Sequence, residues 1–169
     1  QVRRTPITLG LIETEEWRRM QRRPKITYAD AEVVRSAIPD AEAISITSGW
    51  PTPQSDVVWH EKTLGDVLIF GVSPEHQVVQ DYRFSSGHPL SDLDVRQHRN
   101  VAVVGADVAK KLFEEVDPVG REVRVRGELI TIVGVVAPKV RVLGQSFDGF
   151  VMIPITTFES IYGRRQTTT

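Results

Sequence analysis

The 169-residue chain has no cysteine, no long apolar run and almost no net charge. Without thiols it holds neither a disulfide nor a cysteine metal site, and the redox compartment stays open, because thiol-free domains fold on either side of a membrane. The longest nearly apolar runs, Val67–Val72, Val101–Ala106 and Ile132–Ala137, fall well short of the roughly 20 residues a spanning helix needs. The chain does not open on an apolar stretch with a small-residue cleavage site, so no secretory signal is read there. Twenty-one Lys and Arg against 22 Asp and Glu leave a formal charge of −1. That is too weak a positive field for a general nucleic-acid binder, which must displace counterions from phosphate. What is left is a globular piece of average composition, large enough to bury a core unaided. A chain that starts with Gln is expected to be processed or cut from something longer.

The small net charge hides an uneven distribution. Arg3, Arg4, Arg18, Arg19, Arg22, Arg23 and Lys25 face only Glu13, Glu15 and Glu16, so the remainder is net acidic. Two readings follow: a solvated linker, or a basic patch that meets an anionic partner or a lipid surface. Within it Ile7–Ile12 reads as a short strand, and Glu13–Pro24 as a polar segment or weak helix.

The rest of the chain is patterned. Thr27 is a candidate helix N-cap with Asp30 in the capping-box position; Ala31, Val34, Ala37 and Ile38 recur at helical spacing, and Pro39 ends the helix. Strands are expected at Ala43–Thr47 and near Val57–Trp59, separated by the turn Gly49–Pro53. Asp66–Val72 is apolar on both faces and reads as a central strand, and Ser73–His76 as a helix start with Pro where its missing N–H does no harm. Tyr82–Asn100 is polar enough to read as a connector. Then come the strand Val101–Val104, the turn at Gly105 and a helix over Asp107–Glu115, with Val108/Leu112 and Ala109/Phe113 on one face. Asp117–Gly120 carries turn chemistry. Strands Glu122–Arg126 and Leu129–Ala137 flank Gly127-Glu128, expected as the central pair of a two-residue hairpin. Strand Phe150–Ile155 and a helix over Thr157–Tyr162 close the pattern. The sum is α+β, a hairpin-rich mixed sheet with three or four short helices, not a doubly wound parallel one.

Few residues invite chemistry. His60, His76, His88 and His98 never pair at metal-ligand spacing; Asp92, Asp94 and His98 come nearest to a cation site, against the alternative of a solvated acidic connector. Val101–Asp107 has the strand-turn-helix form of a nucleotide site, but one Gly stands where that fingerprint needs three, and Asp107 repels phosphate. No Gly-x-Ser-x-Gly elbow is present. Trp17, Trp50 and Trp59 offer stacking surfaces, with Trp50 expected at the surface and Trp59 in the core. No catalytic, cofactor-binding or metal residue is assigned, and an interaction module is favoured over an enzyme.

Order and spacing carry further. Val101–Gly105, Ala109 with Leu112-Phe113, Asp117-Pro118-Val119-Gly120-Arg121, Val123–Gly127, Ile132–Val136, Asp148 and Val151–Ile155 resemble, in that order, the extracytoplasmic core domain of MacB-type and FtsX-type ABC transporter permeases. Upstream, Ile26–Asp30 with Ile38-Pro39 and Ile44-Ser45 resembles that family's first helix and strand, and Phe70–Ser73 the Gly-Val before its next helix. One departure is Gly87-His88, where the family usually has Gly-Arg; the forked donor is lost there.

The resemblance implies a two-lobed, non-catalytic domain without cofactor or metal, with a first lobe of residues 6–85 plus 142–163 and an inserted lobe of 86–141. It implies a place between the first and second transmembrane helices of a permease, in the cytoplasmic (inner) membrane, with this domain facing the periplasm or the outside. ATP hydrolysis falls to a separate ATP-binding subunit or domain, and the other partners are a second permease subunit and a periplasmic adaptor. Contact is expected at the 106–115 helix and the loop 143–149. Nucleic acid is not a partner. The alternative is a free-standing periplasmic or secreted ligand-binding or hydrolytic protein sharing only the hairpin pattern.

Overall fold

The computed structural model describes residues 28–48, 52–139, 148–163 and 167–168. The readings of Ile7–Ile12, Glu13–Pro24, Trp17, Thr27, Trp50 and most of the 143–149 loop lie outside them. In chain order the elements are α1 (Tyr28–Ala37), β1 (Thr47–Ser48), β2 (Gln54–Trp59), β3 (Lys62–Val72), α2 (Glu75–Val79) and β4 (Phe84–Gly87). These are followed by α3 (Asp92–Arg96), β5 (Val101–Val104), α4 (Ala106–Phe113), β6 (Glu122–Val125), β7 (Glu128–Val136), β8 (Phe150–Pro154), α5 (Ile155–Tyr162) and β9 (Thr167–Thr168). No described helix is long and apolar enough to cross a membrane.

All nine strands among the described residues share one mixed sheet. The path β2-β6-β7-β5-β8-β3 returns to its start because β2 also pairs with β3, so six strands form a hydrogen-bonded ring. β3 lies parallel to β8 and β5 parallel to β7, while the remaining ring pairs are antiparallel. Outside the ring, β1 joins β3, β9 joins β1, and β4 joins β7. Two of the ring ladders are short. β2–β6 registers two residue pairs and β5–β8 another two, whereas β3–β8 registers five.

Period-two alternation sorts the side chains into two cores. Ala102 and Val104 of β5 and Val151 and Ile153 of β8 join a cluster with Val123, Ile130 and the inward faces of α4 and α5. Their neighbours Val101, Val103, Phe150 and Met152 point the other way, into a second cluster covered by Tyr82 and Phe84. Strands buried on both faces explain why Val101–Val104 and Phe150–Pro154 read as unbroken apolar runs.

Three expectations need correction, the first being the strand at Ala43–Thr47, which is reduced to Thr47–Ser48. Five helices are present among the described residues rather than three or four, because the polar stretch 82–100 holds β4 and α3. A five-residue helix offers too little periodicity to stand out against its serines and aspartates. The hairpin expected around Gly127-Glu128 is centred one residue earlier: Val125 pairs with Glu128, and Arg126 and Gly127 take φ of 50° and 88°. Positive φ at both central residues is a type I′ turn, whose twist matches the flanking strands. The Arg124 guanidinium fastens it by donating to the Gly127 carbonyl at 2.8 Å. Gly127→Ala adds a Cβ into open space, so its cost is conformational only. It is expected to lower stability by about 1 kcal/mol, read as a shift in the urea midpoint at constant slope.

Candidate functional site

Most of the residues singled out by sequence serve the fold. Asp94 is buried at 1% exposure and closes a capping box at the start of α3. The Ser91 amide and hydroxyl donate to its Oδ2 at 2.9 and 2.6 Å, and Arg99 Nη1 donates to Oδ1 at 2.9 Å. Burial by itself raises the Asp94 pKa, but the Ser91 hydrogen bonds and the Arg99 charge outweigh it and hold the carboxyl below the usual range. A carboxylate so occupied is not a free metal ligand, and no His, Asp and Glu group among the described residues is arranged to hold an ion. Of Asp92, Asp94 and His98, Asp94 therefore serves the α3 cap.

Gly105, the anion-site candidate, is needed for packing: a Cβ there would meet the Asp148 carbonyl oxygen at 2.1 Å. Trp59 is core-side, its ring 4.5 Å from that of Phe113. Lys110 and Lys111 of α4 are exposed.

The surface the sequence did not flag lies at the α1–α2–α3 end. Arg35 of α1 pairs with Glu75 of α2 at 3.1 Å, and Ala31 of α1 shares a small core with Val95 of α3 and Ile155. On these three joined helices Val33, Val78, Val79 and Leu93 stay exposed, as does Ile38 just past α1, with Val78 at 71% and Val33 at 68%. Amphipathic helices normally keep such side chains inward, so the exposed face of each of these helices invites contact.

Beside α2 this face sinks into a groove of about 480 Å³. Val78, Tyr82, Phe84 and Leu90 provide its apolar lining, and Glu75, Asp81 and Asp92 its charged groups. Gln77 fixes the wall: its Nε2 donates to the Pro74 and Leu90 carbonyls, both at 3.2 Å, and its Oε1 accepts from the Leu90 amide at 2.9 Å. Lys139 lies 4.1 Å from the centre of the Tyr82 ring and donates to the Gln80 carbonyl at 2.7 Å. Burial, then the charge of Asp148, raises the Tyr82 pKa, so the ring stays neutral.

His76 backs the same helix, sharing a hydrogen bond of 2.8 Å with Ser45 Oγ. Burial, seconded by the positive charge of Lys139, lowers its pKa from 6.5 to about 4. The unfolded chain takes up a proton that the folded one refuses, so stability is full above pH 6.5 and falls from there towards about 4. His76→Gln is expected to flatten that limb of the melting-temperature profile.

The arrangement offers surface for contact, and behind it Ser45 and His76 form a hydroxyl–imidazole pair. The groove was illegible in sequence because its apolar members are scattered singly through a polar stretch.

A family model described as MacB-like periplasmic core domain matches residues 3–169. The macrolide export ATP-binding/permease protein MacB of Syntrophobacter fumaroxidans is 27% identical over 142 residues, which cover 79% of this chain and 20% of that protein. The chain thus spans about a fifth of the length of the curated relatives it matches. In three dimensions it is similar to the periplasmic region of MacB from Actinobacillus actinomycetemcomitans (TM-score 0.71, 19% identity, 89% of this chain and 66% of that one). It is equally similar to the extracellular domain of the noncanonic ABC-type transporter YknZ from Gram-positive bacteria (TM-score 0.70, 17% identity, 88% and 73%). On the strength of a match spanning nearly every residue, the chain belongs to the family of MacB-like periplasmic core domains of ABC transporter permeases.

Proposed function

We propose that the domain is a non-catalytic coupling element: it relays the motion of a membrane-embedded permease, driven by ATP hydrolysis elsewhere, to a cargo or an extracytoplasmic partner. The single observation that carries this reading is the exposure of large apolar side chains on α1, α2 and α3, Val33, Val78, Val79 and Leu93 among them. Family membership and the names of the relatives supply the context: an ATP-binding and a permease function in one longer protein. In this reading the domain faces away from the cytoplasm and meets a second permease subunit or an adaptor.

The two-lobe division, 6–85 plus 142–163 against 86–141, belongs to the same proposal. It is supported by the ring itself. β2, β3 and β8 lie on one side of the division and β5, β6 and β7 on the other, and the only ring ladders that cross it are the two short ones.

A photo-crosslinking residue at Leu93 or Val79 of the full-length protein tests the contact. Both positions are expected to capture another protein in membranes, and one placed at the exposed Glu128 is not. Equal capture at all three, or none, overturns the reading. The parent chain is further expected to carry an apolar segment of roughly 20 residues before residue 1, retained as an anchor; a cleaved signal there favours a free-standing protein.

A further inference from the structure

The groove beside α2 carries one charge sign. Its charged lining side chains are all carboxylates. Glu75 is partly answered by Arg35, yet its Oε2 is buried without a hydrogen-bond partner. Asp81 and Asp92 have no ion pair among the described residues. The one nearby lysine, Lys139, is already spent on the Tyr82 ring and the Gln80 carbonyl. Between the carboxylates Val78, Tyr82 and Phe84 leave apolar surface open to solvent. An occupant that satisfies both features presents a large apolar side chain flanked by arginines.

The same chain carries such a segment. Trp17-Arg18-Arg19-Met20-Gln21-Arg22-Arg23 places two large apolar residues three apart among four arginines, within the basic stretch that leaves the rest of the chain net acidic. It precedes α1, whose Arg35 already touches the groove residue Glu75. Tyr28 to Arg35 is about 10 Å along a helix, and the residues from Trp17 to Thr27 reach roughly 30 Å if extended, so the groove is within range.

We propose that Trp17–Arg23 docks into the groove, with Trp17 or Met20 against Val78, Tyr82 and Phe84 and the arginines against Asp81, Asp92 and Glu75. The basic stretch then has an intramolecular anionic partner rather than a lipid surface. This inference stands on groove chemistry and survives if the transport reading fails; together with that reading, it fastens the chain's entry segment to the core.

The absence of native cysteine makes the test direct. Met20→Cys is combined with Val78→Cys in the full chain, and with Leu129→Cys as the control. Leu129 is exposed and lies seven residues along β7 from Val136, which registers with Phe84, about 23 Å away at strand rise. Under mild oxidation the Val78 pair is expected to close an intramolecular disulfide about tenfold faster than the Leu129 pair, the advantage of a raised local concentration. Asp81→Lys with Asp92→Lys removes that advantage, and 1 M salt reduces it. Equal rates for the two pairs, a disulfide only between two chains, or indifference to the Asp81 and Asp92 changes overturns the proposal. Melting curves of each variant before oxidation show that the fold is kept.

Discussion

Truncating Phe158 to alanine is expected to lower the unfolding free energy by about 3–5 kcal/mol, the range for emptying a fully buried aromatic site. Phe158 of α5 is 0% exposed, stacks on Tyr162 with ring centres 4.7 Å apart, and belongs to the larger core. It sits on β3 where that strand has Gly71: a Cβ on Gly71 would meet the Phe158 Cβ at 2.4 Å. The strand backbone and the ring are therefore matched surfaces, and neither collapses into the space if the ring is removed. Urea unfolding followed by tryptophan fluorescence reads the loss as a lower midpoint. The converse change, Gly71→Val, overfills the same contact and is expected to cost about 1–3 kcal/mol. An unchanged midpoint in Phe158→Ala shows that α5 does not hold the ring.

Asp94→Ala is expected to cost about 2 kcal/mol near neutral pH, the upper part of the range for losing a helix cap, since the Arg99 pair and the Ser91 hydroxyl bond go with it. The sign with pH follows from the lowered Asp94 pKa. Its contribution is complete above the unfolded value, 3.8, and is lost as pH falls through the lower folded value. The wild-type and Asp94→Ala melting curves therefore converge in acid and separate above pH 4. Asp94→Asn keeps an acceptor for the Ser91 amide but not the ion pair, and is expected to fall between the two. Parallel profiles at every pH contradict the ionic part of this account.

Much of the architecture was legible because local chemistry and tertiary context agree. Val101–Val104, the α4 face and the Asp117–Gly120 turn appear where periodicity and turn residues place them. The hairpin slipped by one because Arg126, not only Gly127, adopts positive φ, and nothing in an arginine announces that. The strand at 43–47 shrinks to Thr47–Ser48, since its neighbours spend their groups elsewhere: Ile46 N donates to Ser73 Oγ and Ile46 O accepts from Ser73 N. α3 is signalled only by Ser91 and Asp94, whose box reads equally as a loop. The groove was beyond reach, because it exists only once β4 has paired with β7 and brought Phe84 beside α2.

The short β2–β6 and β5–β8 ladders give the ring a mechanical character that an open sheet lacks. In an open sheet a pull at one edge peels strands away in sequence. In a ring each of the six strands is paired on both sides, so none peels away without parting two ladders. The six strands also share one core, in which Val57 and Ile69 meet Ala102, Val123, Ile130 and Ile153, so the ring is expected to yield to force as a unit.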